Sequence, residues 1–282
     1  MGLGLPLSGV LSDAHGQPPN SSWHLSWKVF LKSASSISCC GQEGDTSIAR
    51  RNWAGLKRFI DNEIHRATQN SSLGLRNMFV EFGDWISQPG PVPGGADTGA
   101  SGAMLATFSF VKDLGHFVEI AEALGKDDEA THYRAQLRRF QQEWQRLYFN
   151  STSGSYIAGY TKSSYNTTTK TFDPGAPSGL GGQPSNSVGL WLATHGAAPP
   201  GARGSALQAL VADVLEHRNH TSCGIISWRY QLEALSENGH LDVAYALLTQ
   251  KTYPSLGFEI LNPLEPATTW WEEVSRLGTF ST

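Results

Sequence analysis

Glu122-Ala-Leu-Gly-Lys-Asp-Asp-Glu-Ala and Leu235-Ser-Glu-Asn-Gly-His-Leu-Asp-Val-Ala are two stretches of sequence that share one pattern. In each, a helical pattern stops at a glycine, and a new one begins beside an acidic residue. Glycine takes the left-handed conformation that ends a helix, and an acidic side chain favours the N-terminus of the next one. Each stretch therefore predicts two helices joined by a short connection, which is an αα-hairpin.

Apolar residues recur at intervals of three and four on both sides of these hairpins, as they do in amphipathic helices. The spacing predicts helices over about residues 48–64, 101–124, 127–148, 184–194, 205–217, 224–237 and 241–250. We expect Gly125 to end the helix before it, and Asp127 to cap the helix after it.

Residues 153–175 have a different pattern. Ser155-Tyr-Ile-Ala-Gly-Tyr and Thr167-Thr-Thr-Lys-Thr-Phe alternate in character, with Ser and Asn between them. A period of two is typical of strands, so these two runs predict a short β-hairpin.

The connections between the predicted helices are very unequal in length, which indicates a helical barrel rather than a uniform solenoid. The interval between the two hairpin stretches is far too long for a tetratricopeptide array, and the Trp and Pro marks of that repeat are missing. We therefore predict an all-α domain with a small β-hairpin insertion.

The composition excludes several classes of function. Charged residues make up 16% of the chain and the net charge is −4, so no basic surface for nucleic acid is expected. No apolar run is long enough to span a bilayer. The first residues, Met1-Gly-Leu-Gly-Leu-Pro-Leu, lack a basic start and are interrupted by Pro6, so we expect neither a signal peptide nor a myristoylation site.

The cysteines and the glycosylation sequons bear on the cellular compartment. Cys39, Cys40 and Cys223 predict no disulfide framework, because neighbouring cysteines rarely pair and one is left over. Asn-x-Ser/Thr sequons begin at Asn20, Asn70, Asn150, Asn166 and Asn219. Five sequons favour a secreted or vacuolar protein, although they fix no compartment.

Residues 1–43 have no usable period. Gly, Ser and Pro are scattered through them, and Trp23 and Trp27 belong to no clear element. We expect either a disordered leader or a mis-predicted exon here, with the ordered domain over residues 44–282.

A further informative stretch lies near the end of the chain, where Ala267-Thr-Thr-Trp-Trp-Glu-Glu follows Tyr253-Pro-Ser-Leu-Gly-Phe-Glu. It sets Glu272 and Glu273 beside two indoles. Tryptophan faces stack on sugar rings, and carboxylates move protons or accept hydrogen bonds from hydroxyls. The same residues also fit a solvated helix face with two core tryptophans. Composition alone leaves both interpretations open.

Four segments carry a resemblance to a known family. They are Phe82-Gly-Asp-Trp-Ile, Tyr230-Gln-Leu-Glu-Ala-Leu-Ser-Glu-Asn-Gly-His-Leu-Asp-Val-Ala-Tyr, Tyr253-Pro-Ser-Leu-Gly-Phe and Ala267-Thr-Thr-Trp-Trp-Glu. These segments come in the order seen in α-L-rhamnosidases, and the chain resembles that family over about residues 44–273. The resemblance implies an (α/α)6 barrel of six helical hairpins, which hydrolyses terminal α-linked L-rhamnose with inversion.

The resemblance also implies roles for four residues. Glu272 is expected to act as the base on the attacking water, and Trp271 to wall the rhamnose pocket unless it packs in the core. Asp84 matches a Gly-Asp-Trp segment and is expected to accept a hydrogen bond from a substrate hydroxyl, with Trp85 as a platform for the sugar. An Asp after a Gly can equally be a loop cap.

The sequence departs from the family pattern at several points. It contains no segment of the form Asp-Glu-Arg-x-Gly-Trp, where the family carries its general acid, and no His beyond Glu272. Pro266 stands where Gly is usual, and Leu256 stands where Trp is usual. The chain therefore resembles a rhamnosidase domain trimmed at both ends, with too few helices to close the barrel.

Three classes of function fit these observations. The first is a glycosidase of α-L-rhamnosidase type that acts on a rhamnose-containing glycoside or polysaccharide, with no metal ion or other cofactor. The second is a carbohydrate-binding protein without catalysis, which the missing acid would favour. The third is a helical interaction module. Convergence of Asp84, Trp85, Trp271 and Glu272 on one pocket would exclude that third class.

Overall fold

The computed structural model describes residues 45–68, 75, 83–84, 100–160, 164–166, 171–173, 176–263 and 266–268. For residues 164–166 and 171–173 it describes the backbone. The predicted leader over residues 1–43 lies outside the described residues, so the predicted boundary at residue 44 stays a prediction.

Helices make up most of the described chain, which confirms the all-α prediction. They are α1 (Ser47–Thr68), α2 (Gly102–Ala123), α3 (Asp127–Tyr148), α4 (Gly182–His195), α5 (Ala202–Glu216), α6 (Ile225–Glu237), α7 (Leu241–Thr249) and α8 (Leu256–Leu261). The seven predicted helices are all present within a few residues of their expected bounds. The short helix α8 was not predicted.

Both αα-hairpins form through the same backbone arrangement. Gly125 has a φ of +67° and Gly239 a φ of +88°. The N–H of Lys126 donates to the carbonyl of Ala121 over 2.9 Å, and the N–H of His240 donates to that of Leu235 over 2.9 Å. These are Schellman motifs, in which a left-handed glycine lets the next residue reach back to the last helical turn. The predicted role of Gly125 is confirmed.

The predicted cap at Asp127 is wrong. Lys126 occupies the N-cap position of α3 and makes no side-chain cap hydrogen bond, while Asp127 is already the first helical residue. The reason is that Lys126 is also the last residue of the Schellman motif, so only three residues separate the helices. Asp127 still favours the helix start through its charge, because it lies at the positive end of the helix dipole.

The predicted β-hairpin insertion is confirmed, although the strands of the described chain form two small antiparallel hairpins rather than the single one predicted. β1 (Phe149–Asn150) pairs with β2 (Ser155–Tyr156), and β3 (Ser164–Asn166) pairs with β4 (Thr171–Asp173). The predicted runs 155–160 and 167–172 thus belong to different hairpins. Each strand pairs with a nearer segment, because a shorter loop closes at a lower entropic cost.

The helices form two layers, as in part of a six-hairpin barrel. α2, α4 and α6 lie side by side, and each packs against the helix that follows it, namely α3, α5 and α7. α2 and α4 are buried around most of their circumference, which is typical of an inner layer. The N–H group of Trp144, a fully buried residue of α3, donates to Thr107 Oγ1 of α2 over 3.1 Å.

The inner helices run in the same direction. Near their C-termini, Asn238 Nδ2 donates to Thr194 Oγ1 over 3.0 Å, and His195 Nε2 lies 3.2 Å from Glu237 Oε2. We call this end, with the connections 124–126 and 238–240, the hairpin end. The opposite end, formed by the N-termini of α2, α4 and α6, is the clamp end. Within the described residues, no helix is both long enough and apolar enough to cross a membrane.

Candidate active site

The clamp end holds the one predicted site residue that the structure describes. Asp84 lies there, whereas Trp85, Trp271 and Glu272 lie outside the described residues. The N–H group of Asp84 donates to the carbonyl of Ala100 over 3.1 Å, which places residue 84 beside the start of α2. The predicted convergence of all four residues stays a prediction.

The carboxylate of Asp84 binds the N-terminus of α6. Its Oδ2 accepts hydrogen bonds from the N–H group of Gly224, over 2.6 Å, and from the hydroxyl of Ser227. Its Oδ1 accepts from the N–H groups of Ile226, over 3.2 Å, and of Ser227, over 3.0 Å. A carboxylate offers about four acceptor positions, so these four donors fill them.

Asp84 therefore acts as the N-cap side chain of a helix 140 residues away in sequence. Gly224 holds the N-cap position of α6 and has no side chain to offer. The first N–H groups of a helix have no partner within the helix, and its N-terminus carries partial positive charge. Asp84 supplies both an acceptor and a negative charge. The sequence left open that Asp84 caps a loop, and its carboxylate does cap backbone N–H groups, but those of a helix remote in sequence. The predicted hydrogen bond to a substrate hydroxyl stays a prediction.

The electrostatics around Asp84 reflect its burial. Only 3% of the residue is exposed. Burial raises the pKa of Asp84, and the bonds to Ser227, Gly224 and Ile226 oppose that rise because they stabilise the charged form. Burial, with the nearby Asp84 charge, also raises the pKa of the Cys223 thiol to about 12. Cys223 is therefore an inert structural side chain and not a nucleophile.

The loop before α6, residues 217–224, is held by a layer of buried polar side chains. Gln183 of α4 is fully buried; its Oε1 accepts from the N–H group of Ser222 over 3.0 Å and from Gln231 Nε2 over 2.7 Å. Its Nε2 donates to Asp213 Oδ1 over 2.9 Å and to the carbonyl of His220 over 3.1 Å. One glutamine thus ties the start of α4 to α5, to α6 and to the loop.

The same loop also holds the segment that leads into the Tyr253–Phe258 motif. His220 Nε2 lies 2.8 Å from Thr252 Oγ1, and Gln250 Nε2 donates to the carbonyl of Arg218 over 2.9 Å. Ser255 is the N-cap residue of helix α8, and its hydroxyl oxygen accepts from the N–H group of Phe258 over 3.0 Å. Asp84 and the Tyr253 motif are therefore anchored to one loop, although they are far apart in sequence.

The described start of the Ala267 motif is attached to α8. The N–H group of Ala267 donates to the carbonyl of Glu259 over 2.9 Å, and Glu259 is 3% exposed. A continuous chain of contacts therefore runs from Asp84 through residues 217–224 and α8 to residues 267–268.

Sequence reasoning missed Gln183, Ser227 and Gly224 as parts of this arrangement. Gln183 and Ser227 are polar residues in helical patterns, which usually face solvent. Gly224 offered a usable signal: a helix start without Ser, Thr, Asp or Asn leaves its N–H groups to a remote acceptor. Which acceptor would fill that role cannot be read from local sequence.

A family model matches most of the chain. It describes a bacterial alpha-L-rhamnosidase 6 hairpin glycosidase domain and matches residues 24–278. The matched range includes all four segments that carry the resemblance, and it begins inside the predicted leader.

Two curated proteins are similar to this chain. One is an alpha-L-rhamnosidase from Formosa agariphila, 24% identical over 263 residues, which are 92% of this chain and 24% of that protein. The other is an alpha-L-rhamnosidase from Streptomyces avermitilis, 27% identical over 221 residues, which are 77% of this chain and 18% of that protein. The chain spans a quarter or less of the length of these relatives.

Solved structures share the fold. The alpha-L-rhamnosidase from Dictyoglumus thermophilum superposes with a TM-score of 0.63 at 25% identity, over 82% of this chain and 22% of that one. The Streptomyces avermitilis alpha-L-rhamnosidase complexed with L-rhamnose gives a TM-score of 0.58 at 23% identity, over 82% and 18%. These matches agree with the layered helical hairpins described above.

Proposed function

We propose that this chain, which belongs to the bacterial alpha-L-rhamnosidase six-hairpin glycosidase family, acts in the hydrolysis of terminal α-L-rhamnose from glycosides. The observation that carries the proposal is the family match over residues 24–278. Two curated relatives that bear the same activity in their names support it.

The proposed mechanism inverts the anomeric configuration. Glu272 removes a proton from a water molecule, which attacks the anomeric carbon from the face opposite the leaving group. An inverting enzyme holds its two carboxyl groups about 6.5–9.5 Å apart, so that this water fits between the base and the sugar. Trp271, next to Glu272 in sequence, would form a wall of the rhamnose pocket through its apolar face.

We propose that the clamp end supports this site. Asp84, the residue before Trp85 in sequence, is fixed by four hydrogen bonds to the start of α6. Ala267, four residues before Trp271 in sequence, is attached to α8 by a backbone hydrogen bond. Rigid supports of this kind favour a preorganised site, which catalysis needs.

The proposed mechanism also needs a general acid that protonates the leaving group. The sequence has no Asp-Glu-Arg-x-Gly-Trp segment, from which the resemblance would take the acid. A positioned general acid contributes roughly 10²–10⁴-fold to the rate. We therefore expect this chain by itself to cleave an activated aryl rhamnoside slowly and a natural rhamnoside hardly at all, because an activated leaving group needs less protonation.

The test compares 4-nitrophenyl α-L-rhamnoside with a natural rhamnoside as substrates of this chain. Glu272→Gln should abolish cleavage of the aryl substrate, whereas the neighbouring Glu273→Gln should retain it. Product anomers followed by NMR should show inversion. Fast turnover of the natural rhamnoside, or equal effects of the two substitutions, would contradict these roles.

The second candidate is carbohydrate binding without hydrolysis, which the missing acid segment favours. Titration calorimetry with L-rhamnose separates the two. Binding without turnover of either substrate would support the second candidate, and turnover that Glu272→Gln removes would support the first.

A further inference from the structure

One of the glycosylation sequons lies in an exposed turn. Asn150-Ser-Thr begins at the end of β1, and residues 151–153, which lead on towards β2, are exposed. The side-chain oxygen of Asn150 accepts hydrogen bonds from the N–H groups of Thr152, over 2.9 Å, and Ser153, over 3.3 Å. This arrangement is an Asx turn, in which an Asn side chain binds the backbone that follows it.

The two groups that N-glycosylation requires are free at this turn. Asn150 Nδ2 donates no hydrogen bond and the hydroxyl of Thr152 makes none, within the part of the chain that the structure describes. Gly154 closes the turn with a φ of +68° and lies against Ser205 of α5. The turn is therefore held at its base, while Thr152 at its tip is exposed and Asn150 is half-buried.

The sequon Asn219-His-Thr has the opposite environment. The side-chain oxygen of Asn219 is buried. The hydroxyl of Thr221 donates to Gln231 Oε1 over 2.8 Å and accepts from the N–H group of Cys223 over 3.0 Å. The Thr221 hydroxyl is thus held by the buried polar layer around Gln183, whereas the Thr152 hydroxyl makes no hydrogen bond within the described residues. A transferase would have to break the two hydrogen bonds of Thr221 to use this sequon.

We propose that Asn150 is an N-glycosylation acceptor in the folded chain, and that Asn219 is closed to the same modification by the fold. Asn150 Nδ2 would attack the anomeric carbon of a polyprenyl-diphosphate-linked oligosaccharide. A C–N bond forms, the bond from that carbon to the diphosphate oxygen breaks, and the lipid diphosphate leaves. The amide proton passes to a carboxylate base of the transferase. This proposal does not depend on the proposed glycosidase function.

The test uses the folded full chain with a purified single-subunit eukaryotic oligosaccharyltransferase and its lipid-linked oligosaccharide. The other three sequons are removed by Asn20→Gln, Asn70→Gln and Asn166→Gln, so that only Asn150 and Asn219 can be glycosylated. Two synthetic peptides, covering residues 145–156 and 214–225, serve as unfolded acceptors. Occupancy is measured by mass spectrometry of peptides after enzymatic release of the glycan in heavy-oxygen water.

We expect both peptides to be modified. In the folded chain, the rate of modification at each asparagine is divided by the rate of its peptide, and we expect this ratio to be at least tenfold higher at Asn150 than at Asn219. Thr152→Ala should remove the modification at Asn150 without affecting the fold, because Thr152 is exposed and its hydroxyl makes no hydrogen bond within the described chain. A folded chain that stays unmodified at Asn150 while its peptide reacts would overturn the proposal. Equal corrected rates at the two asparagines would overturn it as well.

Discussion

The two ends of the inner helical layer are stabilised in different ways. At the hairpin end, each connection is closed by backbone hydrogen bonds between residues five apart, with a left-handed glycine at its centre. At the clamp end, side chains from distant segments bind helix starts and loops, as Asp84 binds α6 across 140 residues of sequence. The connections at the hairpin end depend on local conformational preference, although α4 and α6 also meet there through Asn238 and Thr194, whereas the contacts of Asp84 at the clamp end depend on completed tertiary structure.

This difference assigns different tasks to the two ends. The hairpin end can form as soon as its two helices meet, since it needs no third partner. The clamp end forms only when α2, α4 and α6 have assembled, and it then fixes the loops that carry the family motifs. Precise loop placement, which a sugar-binding site requires, is therefore coupled to completion of the fold.

The largest effect is expected from removing the remote cap. Asp84→Ala leaves the N–H groups of Gly224, Ile226 and Ser227 and the Ser227 hydroxyl without their acceptor, and each buried donor left in this way costs about 1–3 kcal/mol. We expect the free energy of unfolding to fall by about 3–5 kcal/mol, measured by urea denaturation. Ser101→Ala, which removes a local cap at the same end, should lower it by about 1 kcal/mol.

The milder Asp84→Asn keeps one acceptor oxygen and should lie between these two variants if Asp84→Ala does not fold. Hydrogen exchange should accelerate at Gly224 and Ser227 but not at Lys126 or His240, which belong to the hairpin end. The comparison between the two ends would fail if Asp84→Ala lost no more stability than Ser101→Ala.

A smaller effect is expected at the hairpin end. Gly239→Ala places a side chain on a residue with φ of +88°, where nothing lies within 4 Å of the added carbon, so the cost is conformational only. We expect a loss of about 1 kcal/mol in the free energy of unfolding. Gly55→Ala, inside α1 with equally open space, should instead stabilise the chain by about 1 kcal/mol. Losses of similar size at both positions would show that the left-handed backbone of Gly239 is not the cause of the loss, since the space is open at both.

The smallest expected effect is a gain. Helix α5 also ends in a Schellman motif, because the N–H group of Asn219 donates to the carbonyl of Val214 over 2.9 Å. Its left-handed C′ residue is Arg218, with a φ of +55°, and Asn219 follows with a φ of +59°. Arg218→Gly should stabilise the chain by about 0.5–1 kcal/mol, measured by thermal unfolding. Arg218→Ala keeps the Cβ carbon and should give no such gain. Equal gains from both substitutions would show that loss of the Arg side chain, and not relief of the left-handed backbone, stabilises the chain.

The sequence predicted the hairpin end well. Gly125 and the helices around it were predicted correctly because a helix stop depends on residues within one turn of it. The family resemblance and the six-hairpin architecture were also confirmed, by the family match and by the layered helices. The error at Asp127 arose because a single residue, Lys126, serves both helices, which a separate prediction for each helix does not consider.

The clamp end could not be predicted in the same way. Asp84 was predicted as a site residue from its motif, a role that stays a prediction, and its partners at Gly224 and Ser227 follow from the three-dimensional arrangement. The β-hairpins were misassigned for a related reason, since alternation marks strands without saying which strands pair. Glu272, Trp271 and Trp85 remain predictions from the resemblance.

The Schellman motifs also bear on how the chain comes apart. The N–H group of Lys126 donates to the last turn of α2, and its carbonyl accepts from the N–H group of Ala130, over 2.8 Å, in the first turn of α3. His240 joins α6 to α7 in the same way: its N–H group donates to the carbonyl of Leu235, and its carbonyl accepts from the N–H group of Ala244. Neither helix of such a pair can fray at this junction without disrupting its neighbour. Each hairpin should therefore open as one cooperative unit, so that partial unfolding proceeds by whole pairs of helices rather than by single ones.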